Sequence, residues 1–263
     1  MPQFERPGAS IHYEVTGNGP PLLLIAGTAS DNASWGPLIP PLSEQFRLIM
    51  IDNRGSGRTL VSGPLSIDTM VEDCATLLNH LGIETAAVVG HSLGGMIGLR
   101  LAAQYPALVS RLVTMASGNG VGAKERALFK DMAALYPAIR PQAWFRLLFQ
   151  WLFSPPFFET EATVAAAADA SSNYLYRQTP VDFARQVAMF DHIVPFNVAQ
   201  VPCPTLAIAA ANDLLVPPAA MFASLEGMPS LQTRTISGAA HSVHWEAPEA
   251  VAEAIVGFLR GQS

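Results

Sequence analysis

The chain has 263 residues, of which half are hydrophobic and only 14% are charged. This length suits one large domain, or one domain that carries an insertion, and the apolar fraction excludes a disordered chain. Fifteen Lys and Arg against 21 Asp and Glu give a formal net charge of −6. Because the sequence is mildly acidic and has no basic cluster, we expect neither nucleic acid nor an anionic membrane surface as a partner.

The amino terminus and the cysteines predict a cytoplasmic protein. The first ten residues include Glu5 and Arg6 and lack the apolar stretch of a secretory signal. The apolar runs are far shorter than the roughly 20 residues that cross a bilayer. Cys74 and Cys203 do not make a disulfide framework and are typical of small buried residues in a reducing compartment.

Short apolar runs alternate with helix-like stretches along most of the chain. The predicted strands cover residues 11–16, 22–26, 48–51, 86–89, 112–115, 205–209 and 231–236, and the clearest predicted helices cover 68–81, 96–104 and 248–259. Several of the runs are almost entirely apolar, which is typical of parallel strands that are covered on both faces. The alternation therefore predicts an α/β fold with right-handed crossovers.

The alternation breaks in residues 119–198, where no strand is predicted. This stretch is helix-like, punctuated by prolines and rich in aromatic residues, including Trp144, Phe145, Phe149, Trp151 and Phe153. It is too long for a loop within a compact domain, so it is interpreted as a helical insertion. Residues 1–118 and 199–263 then form the α/β core, and most of the aromatic side chains are expected to pack within the insertion.

One short motif indicates nucleophilic catalysis. Residues 90–94 read Gly-His-Ser-Leu-Gly, a G-x-S-x-G pattern that follows an apolar strand and opens a predicted helix. In this context Ser92 would occupy a strained turn that projects its hydroxyl from the sheet, and Gly90 and Gly94 would leave room for the backbone. The helix N-terminus behind it would favour developing negative charge.

A serine nucleophile needs a base, and that base needs an orienting carboxylate. Asp213 and His241 each follow a predicted strand, and they come after Ser92 in the order Ser, Asp, His. The carboxyl ends of parallel strands lie at one edge of a sheet, so the three side chains are expected to converge there. The sequence therefore predicts a catalytic triad of Ser92, Asp213 and His241.

The chain resembles the α/β-hydrolase superfamily over nearly its whole length. Four further stretches carry the resemblance: Leu24-Ile25-Ala26-Gly27-Thr28, Ile51-Asp52-Asn53-Arg54-Gly55-Ser56-Gly57, Asn212-Asp213-Leu214-Leu215-Val216-Pro217 and His241-Ser242-Val243-His244-Trp245-Glu246-Ala247-Pro248. The resemblance implies a mostly parallel, eight-stranded sheet with helices on both faces and a helical cap formed by the insertion. It also implies an oxyanion hole made by the backbone N–H groups of Thr28 and Leu93. The pattern is most similar to the branch of enol-lactonases, aminoacrylate hydrolases and small esterases, but Ala26 replaces the usual His before Gly27.

Neighbouring polar residues have simpler interpretations. His244 is a rival base, or with His241 half of a metal site, but no carboxylate or cysteine cluster completes such a site, and a packing role is favoured. Asp52 and Arg54 are expected to fix their loop rather than to contact substrate. His91 is given no proton-transfer role. Residues 118–122, Gly-Asn-Gly-Val-Gly, are interpreted as the hinge into the insertion, and no cofactor or metal is expected.

These features favour a serine hydrolase that cleaves a small ester, lactone or related acyl bond through an acyl-enzyme. The substrate would be a small, mostly apolar or weakly polar acyl compound. Two alternatives remain at this point: a C–C bond hydrolase of ring-cleavage diketones or a perhydrolase with the same triad, and a non-catalytic ligand receptor that keeps the fold. The sequence leaves the natural substrate and the oligomeric state open.

Overall fold

A computed structural model describes residues 2–261. The strands are β1 (Gln3–Arg6), β2 (Ala9–Thr16), β3 (Pro21–Ile25), β4 (Arg47–Ile51), β5 (Leu60–Val61), β6 (Ala86–His91), β7 (Val109–Met115), β8 (Thr205–Ala210) and β9 (Leu231–Ile236). The helices are α1 (Ile39–Ser43), α2 (Ile67–His80), α3 (Leu93–Gln104), α4 (Ala123–Leu135), α5 (Pro141–Leu152), α6 (Glu161–Asn173), α7 (Pro180–Met189), α8 (Pro218–Ser224), α9 (Val243–Glu246) and α10 (Pro248–Leu259). Single 3-10 turns occur at Asn32–Trp35, Pro155–Phe158, Phe190–His192 and Val198–Gln200.

The strands form one sheet in the order β1-β2-β4-β3-β6-β7-β8-β9, with β5 paired to β2 beside this path. The six strands from β4 to β9 along the path run parallel, and β1, β2 and β5 pair antiparallel. The α/β class predicted from the sequence is therefore confirmed. Within residues 2–261 the sheet has nine strands where eight were expected, because the two-residue strand β5 adds a short antiparallel pair at residues that carry no apolar run.

The sheet separates two apolar cores, and the central strand β3 shows how the sequence divides between them. Leu23 and Ile25 pack in the core that contains α2 and α3, whereas Leu22 and Leu24 pack in the core that contains α10. All four side chains are fully buried. Since successive side chains of a strand point to opposite faces, a strand covered on both faces must be apolar at every position.

Between β7 and β8 the part of the chain that the structure describes contains helices and turns but no strand. The inserted segment has its own apolar core, in which Trp144 stacks on Tyr136 with ring centroids 3.8 Å apart and packs edge-on against Phe183. The indole N–H of Trp144 donates to the carbonyl of Met132. Many of the aromatic side chains of the segment thus pack against one another, as expected from the sequence.

Candidate active site

Ser92 lies directly after β6, at the first turn of α3. Its backbone has φ 52° and ψ −119°, a positive-φ conformation that L-residues seldom adopt. The Ser92 N–H donates to the carbonyl of Met115 on the neighbouring strand β7, and the Ser92 carbonyl accepts from the N–H groups of Gly95 and Met96. Backbone strain of this kind persists only where the surroundings hold it, and it is found frequently at functional positions.

Two glycines allow the elbow to pack against the sheet. A Cβ on Gly90 would collide with the carbonyl of Gly94, and a Cβ on Gly94 would collide with the carbonyl of Ile25. In both cases the obstacle is backbone and cannot rotate away. The sequence motif therefore requires glycine at these positions for close packing.

Asp213 and His241 form a hydrogen-bonded pair. His241 Nδ1 donates to Asp213 Oδ2 over 2.8 Å, and both residues are buried. The other oxygen of Asp213 accepts from the backbone N–H groups of Leu215 and Val216, at 2.8 and 2.9 Å. Burial alone raises the pKa of Asp213, but His241 and these two N–H groups outweigh it, so the pKa lies below its usual value. The carboxylate is thus held ionised beside the imidazole.

Ser92 and His241 face one cavity of about 430 Å³, which Thr28 and Leu93 also line. Within residues 2–261, Asp213 is hydrogen-bonded to His241, whereas the Ser92 hydroxyl makes no hydrogen bond to that ring. Contacts between a nucleophile and its base are frequently long in free enzymes and tighten when substrate binds. The structure therefore brings all five sequence-predicted site residues to one edge of the sheet, with the Asp213–His241 pair already formed.

The loop after β3 is fixed by the loop after β4. The side-chain amide of Asn53 donates to the carbonyl of Ala26 over 2.8 Å, next to Gly27 and Thr28. Asp52 accepts from the N–H groups of Asn32 and Arg58, at 2.8 and 2.9 Å. These bonds hold the segment that contains Thr28. Because Ala26 has no polar side chain, the segment is held through backbone groups such as the Ala26 carbonyl and the Asn32 N–H.

Arg54 does not line the cavity and forms a buried ion pair with Asp73 of α2. Its Nε and Nη2 donate to the two carboxylate oxygens of Asp73, at 2.6 and 2.9 Å. The prediction that Asp52 and Arg54 fix their loop is confirmed. Local sequence did not indicate Asp73 as the partner, because it lies on a helix 19 residues further along the chain.

Two further histidines pack beside the pair. His91 Nε2 donates to the carbonyl of His241 over 2.8 Å, and the ring of His244 lies 4.5 Å from that of His91. Burial, and then the nearby His241, lowers the pKa of His91 to about 3. Burial, and then His91 and His241, lowers the pKa of His244 well below its usual value. Both imidazoles are therefore neutral at physiological pH, and His91 anchors the main chain of the proposed base.

Two parts of the site were not assigned from the sequence. Glu246 accepts from the N–H of Ala240 over 2.7 Å and from the N–H and hydroxyl of Ser154, and so ties the loop of His241 to the inserted segment. The stretch Gly118 to Gly122, expected only as a hinge, lines the cavity. Glu246 lies in the stretch from His241 to Pro248 that carries the family resemblance, but its partner Ser154 lies 92 residues away, so no local pattern could identify the contact.

Within the described residues, no cluster of three or more His, Cys, Asp or Glu side chains is arranged to hold a metal ion. Across the same 2–261 range, no helix is both long enough and apolar enough to cross a membrane.

Comparison with known proteins agrees with this architecture. A family model described as alpha/beta hydrolase fold matches residues 20–248. A relative from Azorhizobium caulinodans, named "Putative carbamate hydrolase RutD", is 30% identical over 261 residues, which cover 98% of each chain. A hydrolase structure from Pseudomonas aeruginosa PA01 has a TM-score of 0.86 and 25% identity, over 98% of this chain and 97% of that one. An enol-lactonase structure from Burkholderia xenovorans LB400 has a TM-score of 0.88 and 23% identity, over 98% and 100% of the chains, and shows the shared fold. The chain therefore belongs to the α/β hydrolase fold family, and it is a hydrolase.

Proposed function

We propose that the protein is a serine hydrolase of small carboxylic esters or lactones, with Ser92 as nucleophile, His241 as general base and Asp213 as orienting carboxylate. The observation that carries this proposal is the 2.8 Å Asp213–His241 hydrogen bond, whose imidazole lines the same cavity as a serine on a strained elbow. A binding protein that only kept the fold would need neither the ionised carboxylate nor the strained turn.

In the proposed reaction, Ser92 Oγ attacks the substrate carbonyl carbon while His241 Nε2 takes the hydroxyl proton. The backbone N–H groups of Thr28 and Leu93 stabilise the oxyanion of the tetrahedral intermediate. This intermediate collapses, the C–O bond to the alcohol breaks, and His241 returns the proton to the departing oxygen. Water then attacks the acyl-enzyme with His241 again as base, which releases the carboxylic acid and regenerates Ser92.

The donor of His241 to Asp213 is Nδ1, which leaves Nε2 to act on Ser92. Asp213 fixes this tautomer and stabilises the imidazolium that forms during attack. In this proposal the inserted segment, residues 119–198, acts as a cap, because Asn119 to Gly122, Phe129 and Phe190 contribute walls to the cavity over Ser92. The walls are largely apolar, which suits a small, weakly polar acyl compound.

Carbamates are a second candidate substrate class, favoured by the name of the relative that is 30% identical along 98% of both chains. A carbamate also has a carbonyl that Ser92 could attack, so the same triad would serve. Rates on matched ethyl esters, lactones and ethyl carbamates, measured with one enzyme preparation, would rank the classes.

The proposal is tested by covalent labelling. A fluorophosphonate should modify the purified protein at Ser92, identified by peptide mass spectrometry, and Ser92→Ala should abolish both labelling and ester turnover. Ser224→Ala is a matched control, because Ser224 lines the same cavity, and its hydroxyl donates to the carbonyl of Met221 and accepts from the N–H of Asn119 rather than contacting the triad. A folded protein that is not labelled at Ser92, or equal loss of labelling in both variants, would refute the proposal.

A further inference from the structure

A second and larger cavity lies between the inserted segment and the core. It has a volume of about 670 Å³, and Ser92 is not part of its wall. We name it the aromatic chamber. Among the side chains that line it are Phe149, Phe153, Phe157, Tyr174, Tyr176 and Trp245. Its size falls within the range of small-molecule sites, roughly 300–1,000 Å³.

A small space, which we call the neck, shares lining residues with both the catalytic cavity and the aromatic chamber. Its volume is about 50 Å³, and Ser92 and His241, which also line the catalytic cavity, belong to its wall. It shares Leu148, Leu152 and Trp245 with the aromatic chamber. Thr28 contributes to the walls of all three spaces. The proposed nucleophile therefore lies where the catalytic cavity and the neck meet.

Helix α6 leaves the aromatic chamber open by presenting small residues to it. Ala167, Ala170 and Ser171, followed by Tyr174 at the end of the helix, line the chamber. Their spacing of i, i+3, i+4 and i+7 is that of a single helix face. One face of helix α6 therefore shapes a cavity.

The carboxylates of the aromatic chamber are already engaged within the protein. Asp31 accepts from the hydroxyl of Tyr174 over 2.8 Å and from the N–H of Ala33 over 3.0 Å. Glu246 is bonded to Ser154 and Ala240. Arg177 is solvent-exposed. With its acids satisfied internally and its walls aromatic, the chamber is suited to an uncharged aromatic ring, which would make stacked or edge-on contacts there.

We propose that the aromatic chamber binds an aromatic ring that the substrate carries on an unbranched chain, while the reacting carbonyl lies at Ser92. This inference rests on the proposed ester hydrolysis and specifies its substrate class. The neck is too small for the ring, since its volume is about a third of that of a ~150 Å³ apolar cavity that binds benzene, but it accommodates methylene groups. The remaining part of the substrate occupies the catalytic cavity.

Two series of esters test this geometry with the wild-type enzyme: ethyl ω-phenylalkanoates, which lengthen the acyl side, and ω-phenylalkyl acetates, which lengthen the alcohol side. The value of kcat/KM should pass through a maximum with methylene number in one of the two series. It should rise at least about tenfold from the shortest member, because the ring becomes buried only when the chain spans the neck. The series that shows the maximum identifies which side of the ester crosses the neck.

Filling the aromatic chamber supplies the second arm of the test. Ala170→Trp should lower the ratio of kcat/KM for the best phenyl ester to that for ethyl acetate by about tenfold. Ala166→Trp is the matched control, because Ala166 is an exposed residue of the same helix outside the chamber, and it should leave both rates unchanged. Ser171→Trp repeats the test from a second position if the Ala170 variant does not fold.

The outcomes separate this inference from the function on which it rests. A wild-type enzyme that hydrolyses ethyl acetate but shows no chain-length maximum in either series refutes the aromatic chamber as a substrate site and leaves the hydrolase intact. Equal effects of Ala170→Trp and Ala166→Trp refute it as well. Failure to label Ser92 or to hydrolyse any ester refutes the hydrolase proposal itself.

Discussion

Asp31 is the carboxylate whose environment most clearly opposes its ionisation. It is 6% exposed, and its burial, followed by the charge of Asp52, raises its pKa to about 6. The hydrogen bonds from Tyr174 and Ala33 and the charge of Arg58 act in the opposite direction but do not compensate. The folded protein therefore holds Asp31 protonated more readily than the unfolded chain does.

The sign and size of the effect on stability follow from this difference. A raised carboxyl pKa contributes stability that is complete below the unfolded value, 3.8, and is lost as the pH rises through about 6. The rise in the pKa of Asp31 from 3.8 to about 6 corresponds to a change of about 3 kcal/mol in the unfolding free energy between these limits. Because a side-chain amide cannot ionise, Asp31→Asn should match the wild type near pH 4 and exceed its unfolding free energy by up to about 3 kcal/mol above pH 7.

The assay is equilibrium urea unfolding of wild type and variant at a series of pH values from 4 to 8. Asp169→Asn serves as the control, since Asp169 is an exposed carboxylate on helix α6 and its removal should produce no comparable change across this window. If the stability difference between Asp31→Asn and the wild type is the same at every pH, Asp31 does not titrate as its surroundings require, and the reasoning fails.

Four further substitutions probe the site and its scaffold. His241→Ala should lower kcat for ester hydrolysis by several orders of magnitude, whereas His244→Ala should cost far less; the reverse order in steady-state kinetics would identify His244 as the base. Gly94→Ala should destabilise the protein by about 3 kcal/mol in thermal unfolding, because the new methyl group would collide with the carbonyl of Ile25. An unchanged stability would show that the elbow can shift. Asp73→Asn should lower the unfolding free energy measured with urea by about 3–5 kcal/mol, because the guanidinium of Arg54 loses its buried charge partner. A loss below about 1 kcal/mol would show that the guanidinium finds water or another acceptor.

The sequence predicted the central strands with little error. Apolar runs such as β3 and β8 can be recognised in the sequence, because strands buried on both faces tolerate few polar residues. The helix predicted at 68–81 lies at Ile67–His80, begins at the Ser66 cap and is followed by Gly82 in a left-handed turn. The edge strands β1 and β5 were missed, because four and two residues that are mostly exposed give too weak a pattern.

For the site, the sequence by itself determined the elbow at Ser92 and the candidates Asp213 and His241, because each depends on residues a few positions away and on the common edge at which parallel strands end. Only the tertiary structure decided which groups support them. The bonds of Glu246 to Ser154, Arg54 to Asp73 and Tyr174 to Asp31 join residues from 19 to 143 positions apart. The cavities, too, were decided only by the tertiary structure, because each is the space left where the inserted segment packs against the core. No local stretch of sequence encodes a space that two distant segments enclose.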